Sequence, residues 1–282
     1  MDLNKVFDDM KKNAIKVDFK TKSKEDLPIG ISKFGGNPDV PKDFKWFYYE
    51  GENFNGAIQN RPLSFLAQIN CEEVNKYDEE GLLPTKGILY FFYELSTMTW
   101  GENPQDKGSS KVFYFDGDVT ELNRTNFPDD MEDDFKLPEI QLAFCKKYDF
   151  PSYEEFIELH NYDNYNNWNE YDEIKALKGY EQEKVISKLL GYADAIQNAM
   201  LLECEKVING IYCGDIPKIA PEKLKQLKEN CNQWQLLFQL DTVTTNDFEL
   251  MFGDCGRIYF YIKRDDLKIR KFDNCWLILQ CG

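Results

Sequence analysis

Pro62-Leu63-Ser64-Phe65-Leu66-Ala67-Gln68-Ile69-Asn70 and Gln235-Leu236-Leu237-Phe238-Gln239-Leu240-Asp241 say nearly the same thing. Each is followed by a second echo, Gly87-Ile88-Leu89-Tyr90-Phe91-Phe92 against Gly256-Arg257-Ile258-Tyr259-Phe260-Tyr261. Gln68 precedes Gly87 by 19 positions and Gln239 precedes Gly256 by 17, so order and spacing both match. A weaker echo comes before them, Gly36-Asn37-Pro38-Asp39 against Gly191-Tyr192-Ala193-Asp194. The pattern predicts an α+β fold: two internally repeated, mainly antiparallel β units sharing a core, with an N-terminal helix and inserted helices. It constrains architecture and leaves chemistry open.

Composition narrows the function classes. The 282 residues are 42% hydrophobic and 15% aromatic, enough for a sizeable core. The 21 Phe and 16 Tyr favour strands, whose faces aromatic rings cover well. Fifty acidic against 34 basic residues give a net charge of −16. Such a surface repels phosphate backbones and anionic lipid heads, which argues against nucleic acid and membranes as partners. It suits either solubility alone or a basic protein partner. No apolar run approaches the ~20 residues of a membrane span, and Met1-Asp2-Leu3-Asn4-Lys5 does not begin a signal peptide. An intracellular, cytoplasmic protein is the expectation. Cys71, Cys145, Cys204, Cys213, Cys231, Cys255, Cys275 and Cys281 form no Cys-x-x-Cys pair. In a reducing compartment they read as small buried hydrophobes, and neither a structural metal nor a cofactor is implied.

Along the chain, Asp2 followed by Leu3, Val6, Phe7, Met10 and Ala14 predicts a first helix, with a strand over residues 15–19. Residues 27–38 are rich in turn formers and predict an ordered loop. Phe44, Trp46, Phe47, Tyr48 and Tyr49 make either a strand or a lid over the core. Strands are expected over 63–70, 87–94 and 112–115. The first two are too apolar for simple alternation, so they predict sheets covered on both faces. The acidic run Asp129, Asp130, Glu132, Asp133 and Asp134 reads as a solvated loop. Ser152 and Glu155 form a capping box opening a helix to His160. Helical spacing resumes near 170–178 and 181–190, stopped by Gly179 and Gly191, and Pro221 starts a helix to Asn230. Strands return over 234–241, 248–252, 257–263 and 275–281. Nothing resembles a flexible linker. One domain over 1–282 is expected, with repeat one at about 27–120, a helical insert at about 150–230 and repeat two at about 188–282.

His160 is the only histidine, so any Ser-His-Asp, Cys-His or His-metal site must use it. Its place at a predicted helix end suits a surface or capping role. Residues 161–167, Asn-Tyr-Asp-Asn-Tyr-Asn-Asn, look superficially like a calcium loop but lack the central glycine and the acid spacing. Gly253-Asp254-Cys255-Gly256 reads as a hairpin. Gln68 and Gln239 are amides inside apolar strands, and each must find partners in the backbone or in a ligand. Asp39, Asp194, Asp241 and Asp254 lie near the same repeated segments. The structural reading is that the glutamines brace a bulge or the junction between repeats while the aspartates end strands. The functional one is a carboxylate-amide pocket of Gln68, Gln239, Asp241 and Asp254, with Trp46 or Trp234 as a stacking wall. No catalytic residue is identified.

Together these motifs carry a resemblance. Ser32-Lys33-Phe34-Gly35-Gly36-Asn37-Pro38 with Pro41 and Trp46, the two glutamine strands and Leu190-Gly191-Tyr192-Ala193-Asp194-Ala195-Ile196-Gln197 belong to it. So do Phe252-Gly253-Asp254-Cys255-Gly256 and Phe272 with Trp276-Leu277-Ile278-Leu279-Gln280-Cys281. The chain resembles the YwqG-like family, a domain-of-unknown-function family named after a bacterial protein, over roughly residues 27–281. It departs from the family pattern at Phe252, where a tryptophan is common, and at Ala193, where proline is frequent. The resemblance implies an intracellular α+β fold with no assigned activity and no catalytic residues to transfer. The leading expectation is a non-catalytic binding or interaction protein whose acidic surface suits a basic partner, such as a toxin or regulatory protein. The alternative is an enzyme or small-molecule binder using the pocket at the junction between repeats. A third reading keeps the acidic face for solubility and places the partner on exposed aromatics.

Overall fold

The two glutamine-bearing runs lie in one large antiparallel sheet. The computed structural model describes residues 3–20, 27–160, 168–180, 186–214 and 218–282. Chain order begins with α1 (Leu3–Met10), β1 (Lys12–Phe19), β2 (Lys33–Phe34) and β3 (Asp39–Pro41). The hairpin β4 (Tyr48–Glu52) and β5 (Ile58–Pro62) follows, then β6 (Ser64–Asn70), α2 (Cys71–Asn75) and β7 (Ile88–Tyr93). Next come β8 (Ser110–Phe115), β9 (Leu122–Arg124), β10 (Ile140–Asp149), α3 (Tyr153–His160) and α4 (Trp168–Leu177). The last part holds β11 (Ser187–Leu190), α5 (Leu201–Ile208), α6 (Pro221–Cys231), β12 (Trp234–Leu240), β13 (Val243–Thr244) and β14 (Glu249–Leu250). It closes with β15 (Arg257–Lys263), α7 (Arg264–Lys268) and β16 (Trp276–Gln280).

Ten strands form the main sheet in the order β16-β15-β12-β11-β1-β10-β2-β6-β7-β8. The sheet curls until its ends approach. Leu279 N of β16 donates to Trp100 O (2.9 Å), Trp276 Nε1 to Gly101 O (2.7 Å), and Lys111 of β8 pairs with Asp273 (2.6 Å). Inside the curl, Phe91 of β7 meets Phe238 of β12 (4.7 Å) and Phe260 of β15 (5.2 Å), so both halves of the chain feed one core. The strands are apolar on both faces because both are covered, as expected. On β7, Leu89, Phe91 and Tyr93 face that core, while Ile88, Tyr90 and Phe92 face an outer layer with Phe44, Trp46 and Phe47. On β15, Tyr259 and Tyr261 face α5 residues Leu201 and Cys204. Each glutamine strand is bulged, between Phe65 and Ala67 against β7 and between Leu236 and Phe238 against β15.

Four expectations are corrected. The first helix stops at Met10; Ala14 belongs to β1, which pairs with β10 on one side and β11 on the other. The helix expected near 181–190 gives way at its C-terminal end to β11, which pairs with β1 and β12 and ends where Leu190 and Gly191 turn left-handed (φ 60° and 75°); residues 181–185 lie outside the described residues, as do Asp2 and the calcium-like stretch 161–167. The strand over 248–252 shrinks to β14, paired with β13. The cysteines are unbridged, but Cys145 and Cys255 are exposed rather than buried. Among the described residues no helix is long and apolar enough to cross a membrane.

Candidate functional site

Each glutamine strand carries its amide to a buried lysine. Pairing places Lys33 of β2 opposite Gln68, and Lys188 of β11 opposite Gln239. Gln68 Oε1 accepts from Asp39 N (2.9 Å), and its Nε2 donates to Ile31 O (2.8 Å) and Asp39 Oδ2 (2.8 Å). Gln239 Oε1 accepts from Asp194 N (2.9 Å), and its Nε2 donates to Ile186 O (2.8 Å) and Asp194 Oδ2 (2.9 Å). A tyrosine hydroxyl donates to each aspartate's backbone carbonyl, Tyr90 to Asp39 and Tyr259 to Asp194. A serine hydroxyl accepts from the backbone past each glutamine, Ser32 from Asn70 N and Ser187 from Asp241 N. These bonds remove the desolvation penalty that a buried amide otherwise carries.

The lysines differ in their counter-charges. Lys33 Nζ donates to Glu139 Oε2 (2.7 Å) and Asn37 O (2.6 Å) and lies 3.8 Å from Asp39. Burial lowers its pKa, with Glu139 and Asp39 opposing that shift. Lys188 Nζ lies 2.6 Å from both Asp149 Oδ2 and Asp194 Oδ2. Burial alone would lower its pKa, but the two carboxylates raise it, so Lys188 is a fixed ammonium rather than a base or nucleophile. Burial pushes the Asp194 carboxyl upward, and Lys188, Gln239 and Tyr180 more than reverse this, holding it well below the carboxylate range. Arg257 Nε donates to Asp241 Oδ2 and its Nη1 to Asp194 O (2.9 Å). Asp241 Oδ2 also accepts from Ile186 N (2.9 Å).

The six candidate pocket residues therefore separate. Gln239 and Asp241 share the Lys188 network through Ile186, whereas Gln68 belongs to the Lys33 network, and β11, β1, β10 and β2 lie between their strands in the sheet. Asp254 is exposed in the turn closed by the Phe252–Gly256 bridge. Trp46 donates to Leu63 O (2.8 Å) and packs on Phe92; Trp234 donates to Glu205 Oε2 (3.0 Å) and lies under Lys263. His160 sits at the end of α3 against Met10 Sδ (3.0 Å) and the Phe156 ring. Burial pushes the Cys71 and Cys231 thiols up to about 12 and Cys213 to about 11, far from a reactive thiolate.

Two of the openings bear on these residues. A cleft of about 910 Å³ lies beside the Lys188 network, lined among others by Asp194, Arg257, Tyr180, Tyr153, Trp168 and Lys175. Tyr180 OH donates to Asp194 Oδ1 (2.8 Å), and Lys175 lies 3.9 Å over the Tyr180 ring. A second cavity, about 560 Å³, lies at the seam where the sheet ends meet, between Trp234 and Trp276. Sequence reasoning singled out the glutamines and missed Lys33 and Lys188. The signal was present: Ser32-Lys33 stands four residues before Gly36 and Ser187-Lys188 four before Gly191, extending the weak echo toward the N-terminus. Tyr180 and Asp149 have no such signature.

No curated protein matches the chain. The family described as a domain of unknown function (DUF1963) matches residues 32–281, so the chain belongs to that family, the one formed by the YwqG-like proteins.

Proposed function

We propose that this is a non-catalytic, cytoplasmic binding protein whose acidic surface takes a basic protein partner. The observation that carries the reading is the use made of the buried polar groups. Gln68, Gln239, Lys188 and Asp194 are all engaged with one another, with Asp39, Asp149 and Tyr180, or with the backbone, so none is left to activate a nucleophile or accept a substrate proton. The charge of −16 then supplies long-range attraction for a cationic surface. The test is titration of the full chain with a panel of basic proteins at about 50 mM and about 300 mM salt, conditions that change the Debye length more than twofold. A saturable complex that weakens at the higher salt is expected. Failure of every basic protein to form one at low salt overturns the proposal.

A small-molecule role is the second reading, and the seam cavity favours it. At about 560 Å³, with Trp234 and Trp276 among its lining residues, it has the size of a ligand pocket. We also read the two halves, about 27–120 and 188–282 with helices inserted at about 150–230, as products of a duplication. The matched Ser-Lys pairs, strand bulges and glutamine–aspartate bonds support it.

A further inference from the structure

Asn55-Gly56 and Asn209-Gly210 are the two Asn-Gly dipeptides of the chain. The first lies in the turn between β4 and β5, which Gly56 N closes by donating to Asn53 O (2.9 Å). The second follows α5, where Gly210 N donates to Val207 O (3.0 Å). For attack by the glycine nitrogen the two backbones are alike. Both dipeptides are exposed, both glycines are left-handed (φ 74° and 78°), and a Cβ added to either would meet nothing within 4 Å. Without a side chain, each glycine lets another group come close to its main-chain nitrogen.

The asparagine side chains differ. Asn209 is turned back along its helix: Nδ2 donates to Glu205 O (2.9 Å), and Lys223 Nζ donates to Oδ1 (2.8 Å). Its own N–H is bonded to Lys206 O and Val207 O, and its ψ is 13°. Bringing Cγ onto Gly210 N would break the side-chain bonds and disturb the helix end. Asn55 carries no such restraint. Among the described residues nothing bonds to its amide; the nearby bonds to Asn53 Oδ1 come from the main-chain nitrogens of Asn55 (2.9 Å) and Ala57 (3.1 Å). The hairpin pairs only with itself, and Phe54 beside the site is 84% exposed, so the tip stands in solvent.

We propose that Asn55 is a modification site, a point of intramolecular deamidation, and that the fold protects Asn209 from the same reaction. Gly56 N gives its proton to hydroxide and attacks Asn55 Cγ. The new Cγ–N bond closes a succinimide while the Cγ–Nδ2 bond breaks, and Nδ2 takes a proton from water and leaves as ammonia. Water then opens the ring. Addition at Cγ yields aspartate, and addition at the main-chain carbonyl carbon yields isoaspartate; in either case the new acid's proton passes to the ammonia. One water is consumed and no electrons change hands. In isoaspartate the main chain gains a carbon between residues 55 and 56, so the Asn53 bonds that close the turn cannot all persist. Either product adds a negative charge at the hairpin tip. None of this depends on the partner that the acidic surface takes.

The test is peptide mapping by mass spectrometry of the full chain after incubation in mildly alkaline buffer, folded and in urea. In the folded chain the Asn55 peptide is expected to yield two acidic products of equal mass. It should do so at least about tenfold faster than the Asn209 peptide, the scale of the hydrogen bonds that Asn209 must first break. In urea the two sites should approach equal rates. Gly56→Ala should slow the folded reaction at Asn55, because its methyl group crowds the attacking nitrogen. Asn209 reacting as fast as Asn55 in the folded chain, or the difference persisting undiminished in urea, overturns the inference. So does a folded chain in which Asn55 stays intact while the chain in urea reacts, or a Gly56→Ala chain that deamidates at Asn55 as fast as the wild type.

Discussion

Lys188 is a fully buried ammonium clamped between Asp149 and Asp194, and its removal leaves two carboxylates facing each other in the sheet. A buried charge stripped of its partner costs far more than the pair contributes net. Lys188→Met keeps most of the side-chain volume and should lower stability to urea unfolding by about 3–5 kcal/mol at neutral pH. The pH dependence follows from the two shifts. Asp194, with its pKa depressed, stabilises the fold above the ordinary carboxylate range and loses that contribution as pH falls through its folded value. Lys188, with its pKa raised, contributes fully below about 10.4 and loses that contribution as pH rises beyond it. The network is thus constant across neutral pH in the wild type. In Lys188→Met the orphaned carboxylates take up protons, so its deficit should narrow as the pH is lowered toward 5. A variant as stable as the wild type at pH 7 would show that the network does not hold the sheet together.

At the scale of elements, α3 carries half of the capping box expected for it. Glu155 N donates to Ser152 Oγ (3.1 Å), but the Glu155 carboxyl turns inward and its Oε2 meets no partner among the described residues. Burial raises its pKa to about 8, with Lys12 opposing the shift. A raised carboxyl stabilises the fold fully below its ordinary 4.5 and loses that contribution as pH rises through about 8. Glu155→Gln removes the titration and keeps the shape. The wild type should therefore lose stability relative to the variant between about pH 5 and 8, by at most about 1.4 kcal/mol per pH unit for one proton. Parallel pH–stability curves for the two proteins would refute the assignment. The same inward and outward logic decides which elements the sequence reveals. β6, β7, β12 and β15 are legible because both of their faces are apolar. β10, Ile-Gln-Leu-Ala-Phe-Cys-Lys-Lys-Tyr-Asp, goes unseen because its outer face is wet and charged although it holds the middle of the sheet. β11 sits where helical spacing is equally plausible, and only its pairing with β1 and β12 makes it a strand.

For the whole molecule, the glutamines could be picked out in the sequence because an amide in an apolar run is conspicuous. Their separation could not, because it depends on the four strands that come between β6 and β12 from distant parts of the chain. The closing of the sheet is equally non-local, and it hangs on the segment through Trp100 and Gly101. Gly101 has φ +78°, and a Cβ there would lie 1.8 Å from Leu277 O on β16. Gly101→Ala must therefore push the segment off β16 and break its bonds to Leu279 N and Trp276 Nε1. Gly56 separates this effect from backbone strain, since it has nearly the same φ (+74°) and a Cβ added there would meet nothing within 4 Å. Gly56→Ala should cost only the left-handed penalty, about 1 kcal/mol, while Gly101→Ala should cost at least about 2 kcal/mol more. Native-state hydrogen exchange makes the comparison local. Protection of the Leu279 amide should fall in Gly101→Ala and stay unchanged in Gly56→Ala, because only the former opens the seam. Equal losses of stability, with the Leu279 amide equally protected in both, would mean that the curled sheet holds its shape through the shared Phe91–Phe238–Phe260 core alone.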